Sequence, residues 1–562
     1  MAMDINSGCR GLKKVVLHVA FLLTSLSMFS FADAADWRSL VQPVGIQNVP
    51  FLNDPAVLNA LYSAGQGPWD TGTSVTSIKT TVPQLFIRFY NPTAAQNSSR
   101  QEGSWIMRTS TVRGLNAQQI RDLFALPNTP TMMTLGLSST GASLYTGIAG
   151  TIAGWGTGGG QQSQSWSGPY TTFFNGQTVM DRVLYYPTMA GTPNLSAIGS
   201  YLVAHNPAPF SDMESVYNSL DVLYNPLSSD LFNKALKSIS PTGIDNLATT
   251  ATRAVLVQNQ TIDDRIDQLS LYHTQAGIWT KAMHTHQQYS TAGFDSDVNG
   301  VIIGADTKTS NTAFSGISLA WLQGTVNWYD NGGKAVGDYY RVAAYTALVM
   351  DKAFLQATMS AGSADGQSSR NIYIDTFYQP SQYGPKDSPL STLSRTAQGY
   401  YTGWNADLNL RGGVLLHAGP LTILPATSIG YLYQSQGSFN ESGAGSLDLN
   451  VSDIQSQLFH CQTDIRIDRE FLLGEHAKIT PYLSAGWAYE KRIDNQAVTA
   501  SMNGWNDSFT TYAPLSDRQS LTGKAGLIIS TSKQLLIHAD YIFQTASGYR
   551  NDGVEGGISC SF

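Results

Sequence analysis

The sequence predicts an all-β transmembrane barrel of about twelve antiparallel strands with an α-helix in its pore, preceded by a small α+β domain. Charged residues are only 13% of the chain, against roughly 25% in an ordinary soluble domain. Aromatic residues make up 10%, and the mean hydropathy is −0.13, because the apolar and polar faces of alternating strands cancel in an average. A series of alternating segments from about residue 277 onward is the third observation.

The alternating segments are clearest at 479–490, 524–530 and 535–544. They approach or reach the roughly 9–11 residues that a tilted strand needs to cross a bilayer, and their aromatic residues lie near segment ends, as an interfacial girdle requires. The alternation continues through Glu555–Phe562, where a last strand can pair on both sides by closing the barrel. A soluble sandwich with one wet face is the alternative; the small, uncharged second face disfavours it.

The only long apolar run of the chain, Val15–Phe31, follows a basic stretch and precedes an Ala-x-Ala site that ends at Ala34. This order is typical of a secretory signal peptide, so we expect residues 1–34 to be removed and the mature chain to begin at Ala35. An uncleaved membrane anchor is the alternative. Two cysteines then remain, Cys461 and Cys560, and two inert thiols are favoured over a bridge.

The charge of the chain gives no reason to expect a nucleic-acid partner. Its net charge is −7 and its pI is near 5.7, whereas nucleic-acid binding calls for a basic face.

Helical spacing appears just before the barrel. Ser211-x-x-Glu214 forms a capping box that opens one helix, which Pro226 ends. Ser240 as N-cap, with Pro241 at the first helical position, predicts the start of a longer helix that runs through Leu269.

Several C-terminal segments resemble, in order, the β-domain of bacterial autotransporters (type V secretion). GIWTKAMHTHQQYSTAGFDSDVNGVIIGAD resembles the first hairpin, with Trp279, Gly300, Gly304 and Asp306 in the family's pattern. LTILPATSIGYLYQSQGSFNESGAG resembles a later strand with a loop that contains Glu441, LLIHADYIF the penultimate strand, and GGISCSF the terminal one. A long polar stretch, 378–396, departs from the pattern and is expected to be an extended loop.

The resemblance implies a monomeric outer-membrane protein that displays its own passenger at the cell surface. It implies outer-membrane lipid and the barrel assembly machinery as partners, Phe562 as the residue that this machinery reads, and no cofactor. The predicted domains are a signal peptide at 1–34, a passenger at 35–225, a pore-filling helical linker at 226–272 and the barrel at 273–562. Some family members cut themselves in this helix between adjacent asparagines; here the nearest match is Gln258-Asn259-Gln260, so self-cleavage is not expected.

The passenger is predicted to be α+β, because helix signals alternate with the strand-like segments QLFIRFY, SWIMRTSTV and ASLYTGIAG. One helix signal begins with Asn53 or Asp54 as the cap and ends at Gly65, and the other runs over Asn116–Pro127. The stretches VRGLNAQQIRDLFALPNTPTMMTLGL and YTGIAGTIAGWGTGGGQQ resemble a segment of exported bacterial proteins, some of them toxin-like. That resemblance implies no particular activity.

Motifs with chemical potential are few. Gly154–Gly159 contains G-x-G-x-x-G without a helix signal after it, which favours a simple loop. His205, the passenger's sole histidine, is expected to be solvated, and no serine elbow accompanies it. Arg108 and Arg113 could bind an anion, as in toxin-like transferases, but surface pairing is favoured.

His284 and His286 are expected on a polar lumen wall rather than on a metal. No catalytic, cofactor-binding or metal residues are therefore predicted, and a non-catalytic surface passenger is preferred. The alternatives are an enzyme or toxin-like effector, and a pore whose N-terminal domain stays in the periplasm.

Overall fold

The computed structural model describes residues 41–43, 54–81, 83–167, 171–208, 211–241, 243–271, 276–376, 392–473, 477–494, 497–513, 517–531 and 535–561. The chain divides into two compact units. The N-terminal unit comprises Met1–Asp181 and Pro207–Asn218, and the barrel unit comprises Arg182–Asn206 and Ser219–Phe562.

Six α-helices lie in the described residues: α1 Pro55–Asn59, α2 Ala117–Leu123, α3 Pro193–Ala204, α4 Asp212–Leu223, α5 Ser229–Ile239 and α6 Asp245–Leu271. Short 3₁₀ turns are at Thr109–Thr111, Tyr186–Thr188, Pro226–Ser228 and Gly445–Leu447. The strands of the N-terminal unit are β1 Val41–Pro43, β2 Thr76–Thr80, β3 Gln84–Tyr90, β4 Trp105–Met107, β5 Met132–Ser138, β6 Ser143–Ile148, β7 Gln161–Ser167 and β8 Thr171–Thr178.

The barrel unit contributes β9 Gly277–Tyr289, β10 Phe294–Lys308, β11 Ala313–Trp328, β12 Gly333–Val349, β13 Ala353–Ile374, β14 Leu393–Val414, β15 Leu416–Ala418, β16 Leu421–Gln436, β17 Phe439–Ser442, β18 Leu449–Val451, β19 Ile454–Arg469, β20 Phe471–Leu473, β21 Ala477–Arg492, β22 Ala497–Met502, β23 Phe509–Tyr512, β24 Arg518–Ser530, β25 Leu535–Ala546 and β26 Tyr549–Ser561.

The N-terminal unit is an antiparallel sheet of eight strands in the order β1-β2-β6-β7-β4-β3-β5-β8. One apolar cluster joins its strands through Ile78, Phe86, Ile106 and Leu144. A second packs Leu58 of α1 against Trp69 and Tyr145. Helix α1 thus packs against the sheet, as the α+β prediction requires.

The predicted caps of this unit are present. The Asp54 carboxylate accepts the Ala56 N–H at 2.8 Å, and Asn116 and Gln119 form a reciprocal capping box at 2.9 Å each. The strand expected over SWIMRTSTV is shorter than predicted, because Trp105–Met107 passes into a 3₁₀ turn at Thr109. The helix expected to reach Gly65 ends at Asn59.

Twelve long strands close into the barrel: β9, β10, β11, β12, β13, β14, β16, β19, β21, β24, β25 and β26. Closure joins β26 to β9 over the full length of both strands, from Ser561↔Gly277 to Tyr549↔Tyr289. Each of the twelve pairs with a neighbour on both sides, as lipid demands of strands whose backbone groups have no other partner.

Side chains of the strands alternate between the lumen and the outside. On β21 Pro481, Leu483 and Trp487 are on the outer face, while Tyr482 and Glu490 are buried inside. The segment 339–351, whose sequence alternates poorly, follows the same rule, with Tyr339 and Arg341 inside and Tyr340 and Val342 outside. Its pattern is obscured because aromatic residues occupy both faces.

The start of the long helix differs from its prediction. Ser240 and Pro241 follow the C-terminus of α5, where the Ser240 hydroxyl donates to the Lys237 carbonyl at 2.8 Å. The long helix α6 begins only at Asp245, after Gly243, whose φ of +105° breaks the helical path. The predicted helix start at Ser240 is wrong because a serine side chain can bond to the backbone at either end of a helix.

Gly304 faces the lumen where a side chain cannot fit, because a Cβ there would lie 2.2 Å from the Trp279 ring. We predict that Gly304→Val blocks barrel folding, seen as loss of the heat-modifiable band on semi-native gels. Gly556→Val is the matched control, since its Cβ would meet only the His538 carbonyl at 3.5 Å. Normal heat-modifiability of Gly304→Val would contradict the register.

Candidate functional site: the helix-filled pore

The helix α6 lies in the lumen of the barrel. One stripe of the helix is apolar and packs on the inner faces of the first strands. That cluster includes Ala254, Val257, Ile262, Ile266 and Leu269 of the helix with Val298, Ile302, Leu322 and Ala343 of the wall. Val255 packs separately against Leu432 and Leu458. The predicted pore helix is thus confirmed.

The C-terminal part of α6 is bound to the first hairpin through Asp306. The Asp306 carboxylate accepts two bonds from the Arg265 guanidinium, at 2.7 and 2.9 Å. It also accepts the Gly277 N–H at 2.9 Å and the Tyr345 hydroxyl at 3.1 Å, while Trp279 Nε1 donates to Tyr345 at 2.9 Å. Trp279 and Asp306 of the first-hairpin pattern therefore belong to one contact that fixes the helix to the strand following it.

A second charged group lies next along the helix. Asp264 accepts from Lys281 at 2.5 Å and from Lys524 at 2.6 Å, and both ammonium groups also contact Glu555 at 2.6 Å. The carboxylates of Asp264, Asp540 and Glu555 converge as metal ligands do. The ammonium groups of Lys281 and Lys524 already contact these carboxylates, however, so the cluster works as an ion-pair network that joins the helix, the first strand and the last strand.

Further ion pairs continue this arrangement on other strands. Arg411 of β14 contacts Asp267 at 2.5 and 3.2 Å, and Arg253 of the helix contacts Glu490 at 2.6 Å. Because a buried charge without a partner is costly, each pair holds the helix in one register.

The segment Gln258-Asn259-Gln260 is in the middle of the lumen. Arg341 Nε donates to the Gln258 side chain at 2.8 Å, and Asn259 Nδ2 donates to Asp407 at 2.5 Å. The Asn259 amide is thus held as a donor by a carboxylate that also contacts His460 at 3.2 Å.

Short strands and α3 cover one end of the barrel. Glu441 binds Arg370 at 3.0 and 2.5 Å and accepts the Leu449 N–H at 3.0 Å. These bonds fix the Glu441-containing loop that resembles the family's pattern. Tyr201 of α3 accepts the Met502 N–H and donates to the Asp507 carbonyl, each at 3.1 Å. Burial raises the pKa of the Tyr201 hydroxyl.

His205 is not solvated, contrary to prediction. Its ring stacks on Trp505 with centroids 4.0 Å apart, and Nε2 lies 2.6 Å from the Asp507 carboxylate. The histidine therefore fastens the end of α3 to the hairpin of β22 and β23.

The two arginines that the sequence offered as anion-binding candidates, Arg108 and Arg113, have structural partners. Arg108 forms an ion pair with Glu214, and their side chains are only 10% and 8% exposed. The predicted pairing of Arg108 is therefore present, but the pair is buried and not at the surface as predicted. Arg113 lies over the Tyr217 ring at 4.4 Å. Sequence reasoning missed Glu214 because the Ser211–Glu214 spacing already explained it as a cap; Ser211 Oγ does accept the Glu214 N–H at 3.2 Å.

Other predicted residues fall as follows. Gly154–Gly159 precedes the strand β7 rather than a helix, so the loop interpretation holds. His284 and His286 are exposed on the outer face of β9, which corrects their predicted place on the lumen wall. The error is one of register, since odd-numbered residues of β9 face inward.

Cys461 and Cys560 are both free thiols. Ala34, Ala35 and Phe562 lie outside the described residues, as does most of the expected loop at 378–396, of which Leu393 onward is strand. Within the described part of the chain, no helix has the length and apolar character to span a bilayer.

A closed barrel with an apolar outer face and a helix-filled polar lumen is a membrane β-barrel of the outer-membrane type. Residues 278–542 match the family model of the autotransporter β-domain. The C-terminal part of the chain is an autotransporter β-domain, and this family exports a passenger across the outer membrane.

Solved structures similar to the chain include translocator domains. The translocator domain of NalP from Neisseria meningitidis is 15% identical, with 56% of this chain and 98% of that chain covered and a TM-score of 0.40. The β-domain of Bordetella BrkA is 16% identical, over 51% and 99%, with a TM-score of 0.37. The transport unit of AIDA-I from Escherichia coli is 14% identical, over 51% and 90%, with a TM-score of 0.30. No curated protein matches the chain.

Asp306→Asn removes the charge that compensates the buried Arg265. We predict a loss of about 3–5 kcal/mol in barrel stability and more frequent ion-conducting openings in planar bilayers, because the helix is less firmly held. The matched control is Asp552→Asn, whose partner Arg550 is 62% exposed; such a pair contributes about 0–1 kcal/mol. Equal conductance and stability of the two variants would contradict the assigned role of Asp306.

Tyr201→Phe removes both hydrogen bonds of the α3 hydroxyl. We predict faster hydrogen exchange across residues 193–204, with a destabilisation of about 1–3 kcal/mol for the groups left unpaired. Tyr512→Phe, at an exposed position of β23 in the hairpin that α3 contacts, should leave hydrogen exchange of residues 193–204 unchanged. Equal protection in both variants would show that the hydroxyl does not hold α3.

Proposed function

We propose that the barrel anchors the chain in the outer membrane and displays its own N-terminal passenger, residues 35–225, at the cell surface. There the passenger acts by binding rather than by catalysis. The observation that carries the proposal is the course of α6 along the lumen, continuous with the first barrel strand at one end and with the N-terminal part of the chain at the other.

The lengths of the connections support the outward direction. Outer-membrane barrels have short periplasmic turns and longer extracellular loops. Two long strands separate each of the three longest connections, 375–392, 437–453 and 493–517, from the next, so all three share one end of the barrel. The short turns 309–312 and 350–352 lie at the other end. Thr249 near the start of α6 accepts from Arg492 at the end with the long connections, at 2.9 Å, so the chain before the helix leaves on the long-loop side.

The chemistry of the candidate residues supports a binding role. Arg108 is engaged with Glu214, and His205 with Trp505 and Asp507. Side chains that hold structural contacts of this kind are not presented to a substrate, whereas general acid–base or nucleophilic chemistry needs groups within reach of one.

Protease treatment of intact cells tests the proposal, with separate blots for the passenger and the barrel. We predict that the passenger disappears while a membrane-embedded barrel fragment survives, and that a periplasmic marker protein stays intact. Resistance of the passenger until the outer membrane is opened would overturn surface display and favour a pore with a periplasmic domain.

A further inference from the structure

A cleft in the N-terminal unit has the features of a small-molecule site. Its volume is about 280 Å³, just below the roughly 300–1,000 Å³ that is usual for ligand pockets. Its walls are mainly aromatic and apolar: Tyr62, Tyr90, Trp105, Phe124 and Trp155. Tyr90 and Phe124 are buried, whereas Tyr62, Trp105 and Trp155 are half-buried and offer ring surface to the cleft.

Arg88 of β3 is the only charged residue among the described residues that line this cleft. Its guanidinium is fixed by two backbone carbonyls: Nε donates to Arg100 at 3.1 Å and Nη1 to Trp105 at 2.9 Å. It forms no ion pair with a carboxylate of the described residues. A guanidinium carries five N–H donors, so three remain available for a ligand.

The position of Arg88 is built into the fold. A Cβ on Gly103 would lie 2.4 Å from the guanidinium carbon, so glycine at this position leaves the space that the arginine fills. Burial lowers the pKa of Arg88, and the neighbouring Tyr90 raises it. An arginine nevertheless stays protonated in proteins, so the cleft carries one positive charge that no carboxylate of its described lining residues compensates.

The loops that form the rim are braced, so the cleft is open before any ligand arrives. The Asn128 side chain donates to the Gln96 and Asn97 carbonyls at 2.8 and 3.1 Å. Asn91 Nδ2 donates to the Thr129 carbonyl at 3.0 Å, and Arg121 donates to the Gly154 carbonyl beside Trp155 at 2.6 Å. Preformed walls lower the cost of ordering on binding.

We propose that this cleft binds a small organic anion that carries a planar ring. The anionic group, a carboxylate or phosphate ester, accepts hydrogen bonds from Arg88, whose planar fork suits either group. The ring lies against the aromatic walls. This inference gives a ligand class to the binding role proposed above and rests on that proposal for its biological setting.

The test measures binding to the purified full chain by calorimetry. Four probes are used: phenyl phosphate, phenylacetate, the neutral 2-phenylethanol and inorganic phosphate. We expect at least one aromatic anion to bind more tightly than 2-phenylethanol and inorganic phosphate, and the comparison of phenyl phosphate with phenylacetate identifies the preferred anionic group. Absence of binding by both aromatic anions would overturn the proposal.

Variants then assign the contacts. Arg88→Gln should weaken binding of the aromatic anion by at least about tenfold and leave binding of 2-phenylethanol unchanged. Lys79→Gln, at an exposed lysine of β2 outside the cleft, should bind like the natural chain. Trp155→Ala keeps both carbonyl contacts of Arg88 and should also weaken binding of the aromatic anion. If Arg88→Gln fails to fold, this second variant still tests the site. Unchanged affinity in Trp155→Ala, or in a folded Arg88→Gln, would contradict the site. Protease treatment of cells is independent of these measurements, so failure of the ligand site and failure of surface display are separable.

Discussion

The structure depends on one constraint, that backbone groups of a strand in lipid find hydrogen-bond partners only in neighbouring strands. The pairing of β26 with β9 satisfies it for the first and last strands together, from Gly277 to Tyr289. This closure also brings Lys281 of the first strand to Glu555 of the last, at 2.6 Å. The barrel wall and the charged lumen are therefore consequences of the same closure.

The helix α6 completes the lumen that closure creates. Its apolar stripe covers the inner faces of the early strands, while Arg253, Asp264, Arg265 and Asp267 meet opposite charges on the wall. The buried charges of the helix and those of the barrel wall would each destabilise the protein if their partners were missing. Wall and helix therefore stabilise each other, and the direction of the helix decides at which end the preceding part of the chain emerges.

The sequence predicted those elements whose signal is local. Alternation identified the strands, and Asn116 with Gln119 identified a helix start, because the cap is made by residues three apart. Ser240 was misread because a serine caps a helix start and also follows a helix end. His284 and His286 were placed on the wrong face because one residue of register reverses every side chain of a strand. The Arg108–Glu214 pair and the cleft around Arg88 join residues distant in the chain, and no spacing rule connects them.

The most direct test of the account is a cysteine cross-link between helix and wall, in a chain whose Cys461 and Cys560 are replaced by serine. Thr250 of α6 and Ser296 of β10 have hydroxyl oxygens 2.9 Å apart. We predict that Thr250→Cys with Ser296→Cys forms an intramolecular disulfide in the membrane-inserted protein. The pair Ser315→Cys and Thr346→Cys, on adjacent strands with oxygens 3.2 Å apart, controls for oxidation. Cross-linking of the control pair alone would place the helix outside the pore and contradict the account.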